Sequence, residues 1–258
     1  ALNELYALEE PHLRPWYGAQ HPTVPMTNVL FSREMLKRLS VYCADALQAA
    51  EFVSQQDTTS SVDTTIVTSP YRVLCVGSGC SRLRHYLHFL LSKILKGKDV
   101  KVAAVVPKRH ASNPANRGRM AWWPPLEDAE AFHPPETSYT LEEALEAYAP
   151  RLVICVCMPP GVDWSEAFRR SPQLLEYLLI GPSDSDKSGQ FHATWGGAEG
   201  FANRGLTPKV PRYATQQFIR HDLDELSATV LGSYDAPGRT GTSSVVTFRR
   251  LFKPRLRI

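Results

Sequence analysis

Two apolar runs separated by an amphipathic helix constrain this chain more than any other feature. Arg72–Val76 and Val100–Val106 are mostly apolar runs of strand length, which is typical of strands buried on both faces. Between them, Ser81–Lys96 carries leucine and isoleucine at helical spacing, and Gly97 stands where a left-handed residue ends a helix. A strand, a helix and a second strand in this order predict parallel strands joined by a right-handed crossover.

The same alternation continues towards the C-terminus. Leu152–Met158 and Leu174–Ile180 predict two further buried strands, and Thr140–Tyr148 predicts a helix that opens on a capping box. A second short helix is expected to begin at Asp163 or Ser165. Leu226–Leu231 and Ser244–Arg250 are interpreted as a closing antiparallel hairpin. The sequence therefore predicts an α/β fold, with a mostly parallel sheet, a C-terminal antiparallel hairpin and helices on both faces.

The N-terminal part of the chain has a different character. Residues 1–30 are rich in proline and contain Trp16 and Tyr17, a composition typical of an arm that packs against another surface. Ser32 is predicted to cap a helix that runs to about Val53, and residues 54–65 form a polar linker. We therefore divide the chain into residues 1–65 (arm, helix and linker) and an α/β domain over residues 66–258. Within that domain, residues 107–139 hold many prolines and are predicted to be irregular.

Composition excludes several classes of protein. With 43% hydrophobic and 21% charged residues, the chain is not disordered throughout, and no stretch approaches the roughly 20 apolar residues of a membrane span. The net charge of +3 is too small by itself to identify a nucleic-acid-binding protein. Five cysteines, mostly inside apolar runs, predict buried reduced thiols, and therefore the cytosol or the mitochondrial matrix, with the matrix favoured. The chain begins with Ala1, which leaves open whether a leader was removed.

A glycine turn follows the first predicted strand. Gly77-Ser78-Gly79 lies between a strand and a helix, where backbone N–H groups approach nucleotide-type ligands. A tight turn without a ligand needs the same glycines, so both interpretations stay open. Arg82 replaces the third glycine of a dinucleotide fingerprint, and no Gly-Lys-Ser or Gly-Lys-Thr sequence follows the turn, so dinucleotide and P-loop sites are disfavoured.

The segment Val73–Cys80 and the order of elements resemble class I S-adenosylmethionine-dependent methyltransferases over roughly residues 66–258. The run that ends in Met158–Gly161 stands where that family has its fourth strand, and Val245–Phe248 lies in the closing hairpin. Arg151–Ile180 resembles an uncharacterised methyltransferase-like branch. The resemblance implies a Rossmann-like fold with the cofactor beside Gly77, Ser78, Gly79, Cys80, Pro107, Met158 and Pro159.

The chain departs from the family's pattern inside that pocket. Cys75 stands where the first strand usually carries an acidic residue, and Ser81 where a third glycine often follows. The second strand ends in Val106-Pro107-Lys108-Arg109, without the carboxylate that holds the ribose of the cofactor. Asp99 lies at the wrong end of that strand, whereas Glu127 beyond a long loop remains a substitute. Loss of the ribose carboxylate alone weakens cofactor binding by about ten- to a hundredfold.

The position of the methyl acceptor is also altered. Met158 lacks the amide or carboxylate with which amino-methylating members bind the target amine, and Gly161 lacks their aromatic ring. Asp163 and Trp164 are either substitutes for these groups or a helix cap with a packed tryptophan.

Two other groups of residues are weaker candidates for a metal site or a catalytic nucleophile. His85 and His88 are three residues apart on the predicted helix, but metal ligation needs a further protein ligand and none is evident. Cys80 paired with a histidine as a nucleophile is disfavoured. We therefore predict no metal site.

Two basic segments are candidates for partner contact. The first combines four cations in the loop with the aromatic pair Trp122-Trp123: Lys108, Arg109, Arg117 and Arg119. The second is the C-terminus: Arg249, Arg250, Lys253, Arg255 and Arg257. Each is either a solvated segment or a contact with RNA or an acidic protein surface.

These features predict a methyltransferase-like protein that has lost catalysis, has no cofactor, and acts as an interaction or scaffold subunit of a larger intracellular assembly. Its partners would be other protein subunits, with RNA as a further candidate. The alternative is an active S-adenosylmethionine-dependent methyltransferase that acts on RNA or protein.

Overall fold

The computed structural model describes residues 29–58, 71–77, 80–107, 120–123, 138–184, 188–197, 210–232 and 243–251. The helices in these ranges are α1 (Arg33–Thr58), α2 (Cys80–Ile94), α3 (Leu141–Tyr148), α4 (Ser165–Arg170), α5 (Arg212–Thr215) and α6 (Asp224–Ser227). The strands are β1 (Val29–Leu30), β2 (Arg72–Gly77), β3 (Lys101–Pro107), β4 (Met120–Trp123), β5 (Ser138–Tyr139), β6 (Leu152–Val156), β7 (Glu176–Pro182), β8 (Phe218–Asp222), β9 (Leu231–Gly232) and β10 (Ser243–Arg250). None of these helices has the combination of length and apolarity that crossing a membrane requires.

The described strands form one large mixed sheet and one small one. The large sheet has eight strands in the order β5-β4-β3-β2-β6-β7-β10-β8. Its centre, β3-β2-β6-β7, is parallel, whereas β4 and β5 are antiparallel additions at one side. At the other side β10 runs antiparallel to both β7 and β8. The small sheet pairs β1 with β9. The predicted α/β class and its parallel centre are confirmed.

Hydrophobic cores cover both faces of the large sheet. On one face, Val73, Cys75 and Ile154 pack against α1 and α2. On the other, Leu74 and Val153 pack against α3 and α4. This alternation along strands that are buried on both faces explains why the strand runs are continuously apolar. Since α1 contributes to the first core, the helix assigned above to the N-terminal region packs directly on the sheet.

Several helix boundaries follow the sequence signals. The Ser32 hydroxyl accepts a hydrogen bond from Met35 N at 3.1 Å, which satisfies a free donor at the start of α1. Thr140 caps α3 through a reciprocal capping box: its hydroxyl accepts from Glu143 N at 3.2 Å, and the Glu143 carboxylate accepts from Thr140 N at 2.7 Å. Gly97 has φ of +80° just after α2, as predicted for a left-handed residue.

The predicted first strand of the closing hairpin, Leu226–Leu231, is wrong. The C-terminal strand β10 pairs instead with β8, while residues 224–227 form α6. Leu226 is buried, and the Ser227 hydroxyl accepts a hydrogen bond from Val245 N at 2.8 Å. A helical turn at this point therefore packs against β10 and satisfies one of its backbone donors.

Two segments are more regular than predicted. The predicted irregular region at 107–139 contains β4 and β5: β4 pairs antiparallel with β3, and β5 pairs antiparallel with β4. Helix α1 continues to Thr58, into the predicted linker. In the first case long-range strand pairing outweighs the turn signals of the prolines.

Candidate functional site

The sheet has a topological switch point at β2. From β2 the chain crosses through α2 to β3 on one side, and later returns to β6 on the other side. The carboxyl ends of β2 and β6 therefore border the crevice in which open α/β sheets bind their ligands. Gly77, Cys80 and the segment that begins at Met158 lie at this edge.

Gly77 ends β2 in a conformation that few other residues adopt. Its φ is +105°, and a Cβ atom there would lie 2.2 Å from the carbonyl oxygen of Val156 in the neighbouring strand β6. The close approach of two strands therefore requires glycine at this position. Ser78 and Gly79 lie outside the described residues.

The thiols at this edge are buried. Cys80 begins α2 with no exposed surface, and Cys75 and Cys155 are equally enclosed. Burial raises the pKa of the Cys80 thiol well above its ordinary value, and the neighbouring thiol of Cys75 raises it further. A protonated, enclosed thiol is a poor nucleophile, so the geometry does not favour a catalytic role for Cys80. All five cysteines are free and buried, which confirms the predicted buried reduced thiols.

Met158 is a core residue rather than the wall of an open pocket. Its exposed fraction is 3%, and it packs in the second hydrophobic core. The sulfur accepts a hydrogen bond from Trp164 N at 3.4 Å, and the hydroxyl of Thr194 lies 3.9 Å away. Pro159 is half-buried, and its carbonyl oxygen accepts from Val162 N at 3.3 Å. Met158 is therefore enclosed by its own loop.

Residues 188–197, which we call the cover segment, lie over the loop after β6. Gly161 N donates to Gly189 O at 2.9 Å, and Gly189 N donates back to Met158 O at 3.2 Å. The indole of Trp195 is buried and donates to Ser188 O at 2.6 Å, which fixes the shape of the segment. This cover is not evident from the sequence, because its defining hydrogen bonds join backbone atoms that are distant along the chain.

Asp163 is held by neighbouring donors through one of its two carboxylate oxygens. One carboxylate oxygen accepts from Ser165 N at 3.1 Å, from the Thr194 hydroxyl at 3.0 Å and from the Ser165 hydroxyl. The other oxygen is buried without a hydrogen-bond partner in the described part of the chain and lies 3.6 Å from Arg169 Nη2, which also has none there. The two side chains are 8% and 0% exposed. Trp164 is half-buried against the second core. The packed tryptophan of the second interpretation is confirmed. Asp163 binds the first residue of α4, whereas the N-cap position is Trp164, which has no side-chain capping bond.

Among the described residues, the carboxyl end of β3 has no acidic side chain that could bind the ribose of a cofactor. The strand ends at Pro107, while Lys108, Arg109 and Glu127 lie outside the described residues. Asp99 precedes the strand at the opposite edge, as expected, and its carboxylate lies 3.8 Å from the Lys101 ammonium.

The two histidines of α2 do not assemble a metal centre. In the described ranges, no three His, Cys, Asp or Glu side chains are grouped so as to hold a metal ion. Burial lowers the pKa of His88, and the positive charges of His85 and Arg84 lower it further.

Arg249 and Arg250, predicted to bind a partner, make contacts within the fold. Arg249 Nε lies 3.2 Å from the Glu176 carboxylate, its partner in the strand register. Arg250 donates to the carbonyl oxygens of Leu174 and Ser171, both at 2.8 Å. Lys253, Arg255 and Arg257 lie outside the described residues, as does the basic loop at 108–119.

Comparison with known proteins does not assign the chain to a family. No protein-family model matches the chain, and no curated protein is significantly similar to it.

Proposed function

We propose that this protein is a methyltransferase-like α/β protein that does not transfer methyl groups and serves as an interaction or scaffold subunit of a larger intracellular assembly. The Rossmann-like methyltransferase fold is supported by the parallel centre of the sheet, by the switch point at β2 and by the antiparallel strand β10 beside β7. The five free, buried cysteines are compatible with a reducing compartment, of which the mitochondrial matrix is the favoured example.

The closed loop after β6 carries this proposal. In the methyltransferases that the sequence resembles, this loop presents the residue that binds the methyl acceptor. Here Met158 is 3% exposed and Asp163 is held by Ser165, Thr194 and Arg169. One oxygen of this carboxylate accepts three hydrogen bonds, and the other is buried beside Arg169, away from solvent. Releasing the carboxylate to a substrate would leave the buried Arg169 charge uncompensated.

The same edge of the sheet lacks two acidic residues with which the resembled family binds its cofactor. Cys75 is enclosed in the core at the position of the expected acidic residue, and β3 ends in a proline without a carboxylate. Each missing hydrogen bond to a charged acceptor costs about 1.5–3 kcal/mol of binding free energy. S-adenosylmethionine is therefore expected to bind weakly or not at all.

The alternative is an active methyltransferase for RNA or protein, and one observation favours it. Cys157, directly after β6, has φ of +49°, a left-handed conformation that is uncommon outside glycine. Strained residues of this kind cluster at functional sites. A methyl-transfer assay with labelled S-adenosylmethionine and total RNA or protein of the source cells separates the two functions.

The scaffold proposal is tested by the size of the native protein. Gel filtration of a cell extract should place the chain in a complex much larger than its own mass of 28.9 kDa. Truncation of residues 1–30, the predicted contact arm, should reduce that complex. Elution of the untruncated chain as a monomer would contradict the proposal.

A further inference from the structure

A charged cleft lies at the edge of the sheet opposite the switch point. It has a volume of about 430 Å³ and is enclosed by α1, by the first residues of β6 and β7, and by the end of β10. Small side chains of α1 form one wall: Ala46, Ala49 and Ala50. Three arginines line the cleft as well: Arg151, Arg249 and Arg250. We call this cavity the arginine cleft.

Two of the arginines are half-buried cations without a carboxylate partner. Neither Arg151 nor Arg250 forms an ion pair with any acidic side chain in the ranges that the structure describes. Arg151 donates one long hydrogen bond, 3.4 Å to Gln173 O. Arg250 donates to three backbone carbonyls and lies 4.6 Å from the centre of the Phe218 ring. Burial lowers the pKa of both groups. The carbonyls and the ring compensate Arg250, whereas Arg151 has a single long hydrogen bond.

The third arginine, Arg249, is held by a polar cluster that contains Glu176 and Tyr42. Glu176, with a side chain 10% exposed, accepts bonds from Tyr42 and from the Thr247 hydroxyl at 2.5 Å, and lies 3.2 Å from Arg249 Nε. Arg249 Nη2 also donates to the Tyr42 hydroxyl at 2.9 Å. Because Glu176 is occupied by three donors, it does not neutralise Arg151 or Arg250. The remaining acid that lines the cleft, Asp45, is exposed.

We propose that the arginine cleft binds an acidic peptide segment of a partner protein. Guanidinium groups match carboxylates in fork geometry, and a bound carboxylate would supply the anion that Arg151 lacks, with Arg249 and Arg250 adding positive charge beside it. The alanines of α1 leave room for a peptide backbone beside the arginines. Asp45 opposes a doubly charged phosphate more strongly than a single carboxylate. The protein nature of the occupant rests on the proposed function, whereas the anionic character of the cleft does not.

Titration with a fluorescein-labelled decapeptide of alternating glutamate and alanine tests the proposal. Arg151→Gln should weaken binding about tenfold, the effect of one hydrogen-bonded charge. Arg151→Lys should recover part of the loss. Arg212→Gln is the matched control, since Arg212 is 64% exposed, does not line the cleft and loses the same charge. Circular dichroism checks that each variant is folded, and Arg151 makes too few contacts for its replacement to prevent folding.

Three outcomes would overturn the proposal: no binding of the acidic peptide to the wild-type protein, equal binding by Arg151→Gln and wild type, or equal binding of a lysine–alanine decapeptide. Inorganic pyrophosphate that binds at Arg151 while the peptide does not would reassign the cleft to a small phosphate ligand. Cofactor titration concerns the opposite edge of the sheet, so failure of the peptide proposal is distinguishable from failure of the proposed function.

Discussion

Gly77 and Val156 are register partners in adjacent parallel strands, and a Cβ atom on Gly77 would lie 2.2 Å from the Val156 carbonyl oxygen. The glycine that opens the turn is thus explained by strand packing. A glycine that is required for this reason does not by itself indicate a nucleotide, because the same residue would be needed with the crevice empty.

Replacement of this glycine tests the packing explanation. Gly77→Ala should lower the free energy of unfolding by about 3 kcal/mol, because backbone strain at positive φ adds to a clash with backbone atoms that do not yield. Urea denaturation measures the change. The control is Gly161→Ala, which has φ of +75° but open space around the new Cβ and should cost about 1 kcal/mol. Equal losses in the two variants would contradict the account.

The buried pair of Asp163 and Arg169 provides a second test. Asp163→Asn keeps the shape of the side chain but removes the charge that faces a guanidinium with no exposed surface. We expect a loss of about 3 kcal/mol in unfolding free energy, because a buried cation is left uncompensated. Glu166→Gln on the same helix breaks an exposed pair with Arg170 and should cost no more than about 0.5 kcal/mol. If Asp163→Asn is as stable as wild type, Asp163 is not held as described and is available to a substrate.

His88 predicts a pH dependence of stability. Burial and the charges of His85 and Arg84 lower its pKa below the ordinary 6.5, against smaller opposing effects of Asp99 and of a backbone bond with Val100. Between the folded pKa and 6.5 the unfolded chain binds more protons than the folded protein does. The contribution of neutral His88 to the free energy of unfolding is therefore fully present above pH 6.5. It is lost as the pH falls from 6.5 through the lower pKa of the folded protein.

Unfolding free energies at pH 7.5 and 5.5, compared between wild type and His88→Gln, measure this contribution. The variant should show a smaller loss of stability on acidification. His85→Gln removes one neighbouring charge and should leave part of the wild-type loss. An identical pH dependence in wild type and His88→Gln would refute this assignment.

The parallel centre of the fold was predictable because its strands are buried on both faces. Such strands must be continuously apolar, and Arg72–Val76 and Leu152–Met158 carry that pattern without tertiary information. The edge strand β8 was missed for the opposite reason. Phe218 is buried while Ile219 is 40% exposed, and Arg220 pairs with Asp184 and Asp222, so the strand looks polar and short. Its identity depends on β10, a distant partner.

For the candidate site at the end of β2, the sequence predicted the position but not the contacts that close it. The glycine turn correctly indicates the carboxyl end of β2. The position of the Asp163 carboxylate depends on Thr194, and closure over Met158 depends on Gly189, both in a cover segment with no recognisable motif. The arginine cleft likewise depends on the register of Arg249 with Glu176 and on the position of Tyr42 in α1. None of these relationships is local in sequence.

The C-terminal cations make a separate prediction about partner contact. Lys253, Arg255 and Arg257 follow a strand whose last two arginines are bound to the fold, so replacing the three by alanine should leave the fold intact. Capture of the native partner should weaken and lose part of its salt dependence. Nuclease treatment of the capture distinguishes RNA from an acidic protein surface. Unchanged capture and unchanged salt dependence would show that these cations make no contact.

Isothermal titration calorimetry of the purified protein with S-adenosylmethionine tests the central claim most directly. The account predicts no saturable heat, or a dissociation constant far weaker than micromolar, since the crevice offers no ribose carboxylate among the described residues and the loop after β6 is closed by the cover segment. A dissociation constant in the micromolar range or tighter would contradict the loss of the cofactor and establish the chain as a candidate methyltransferase.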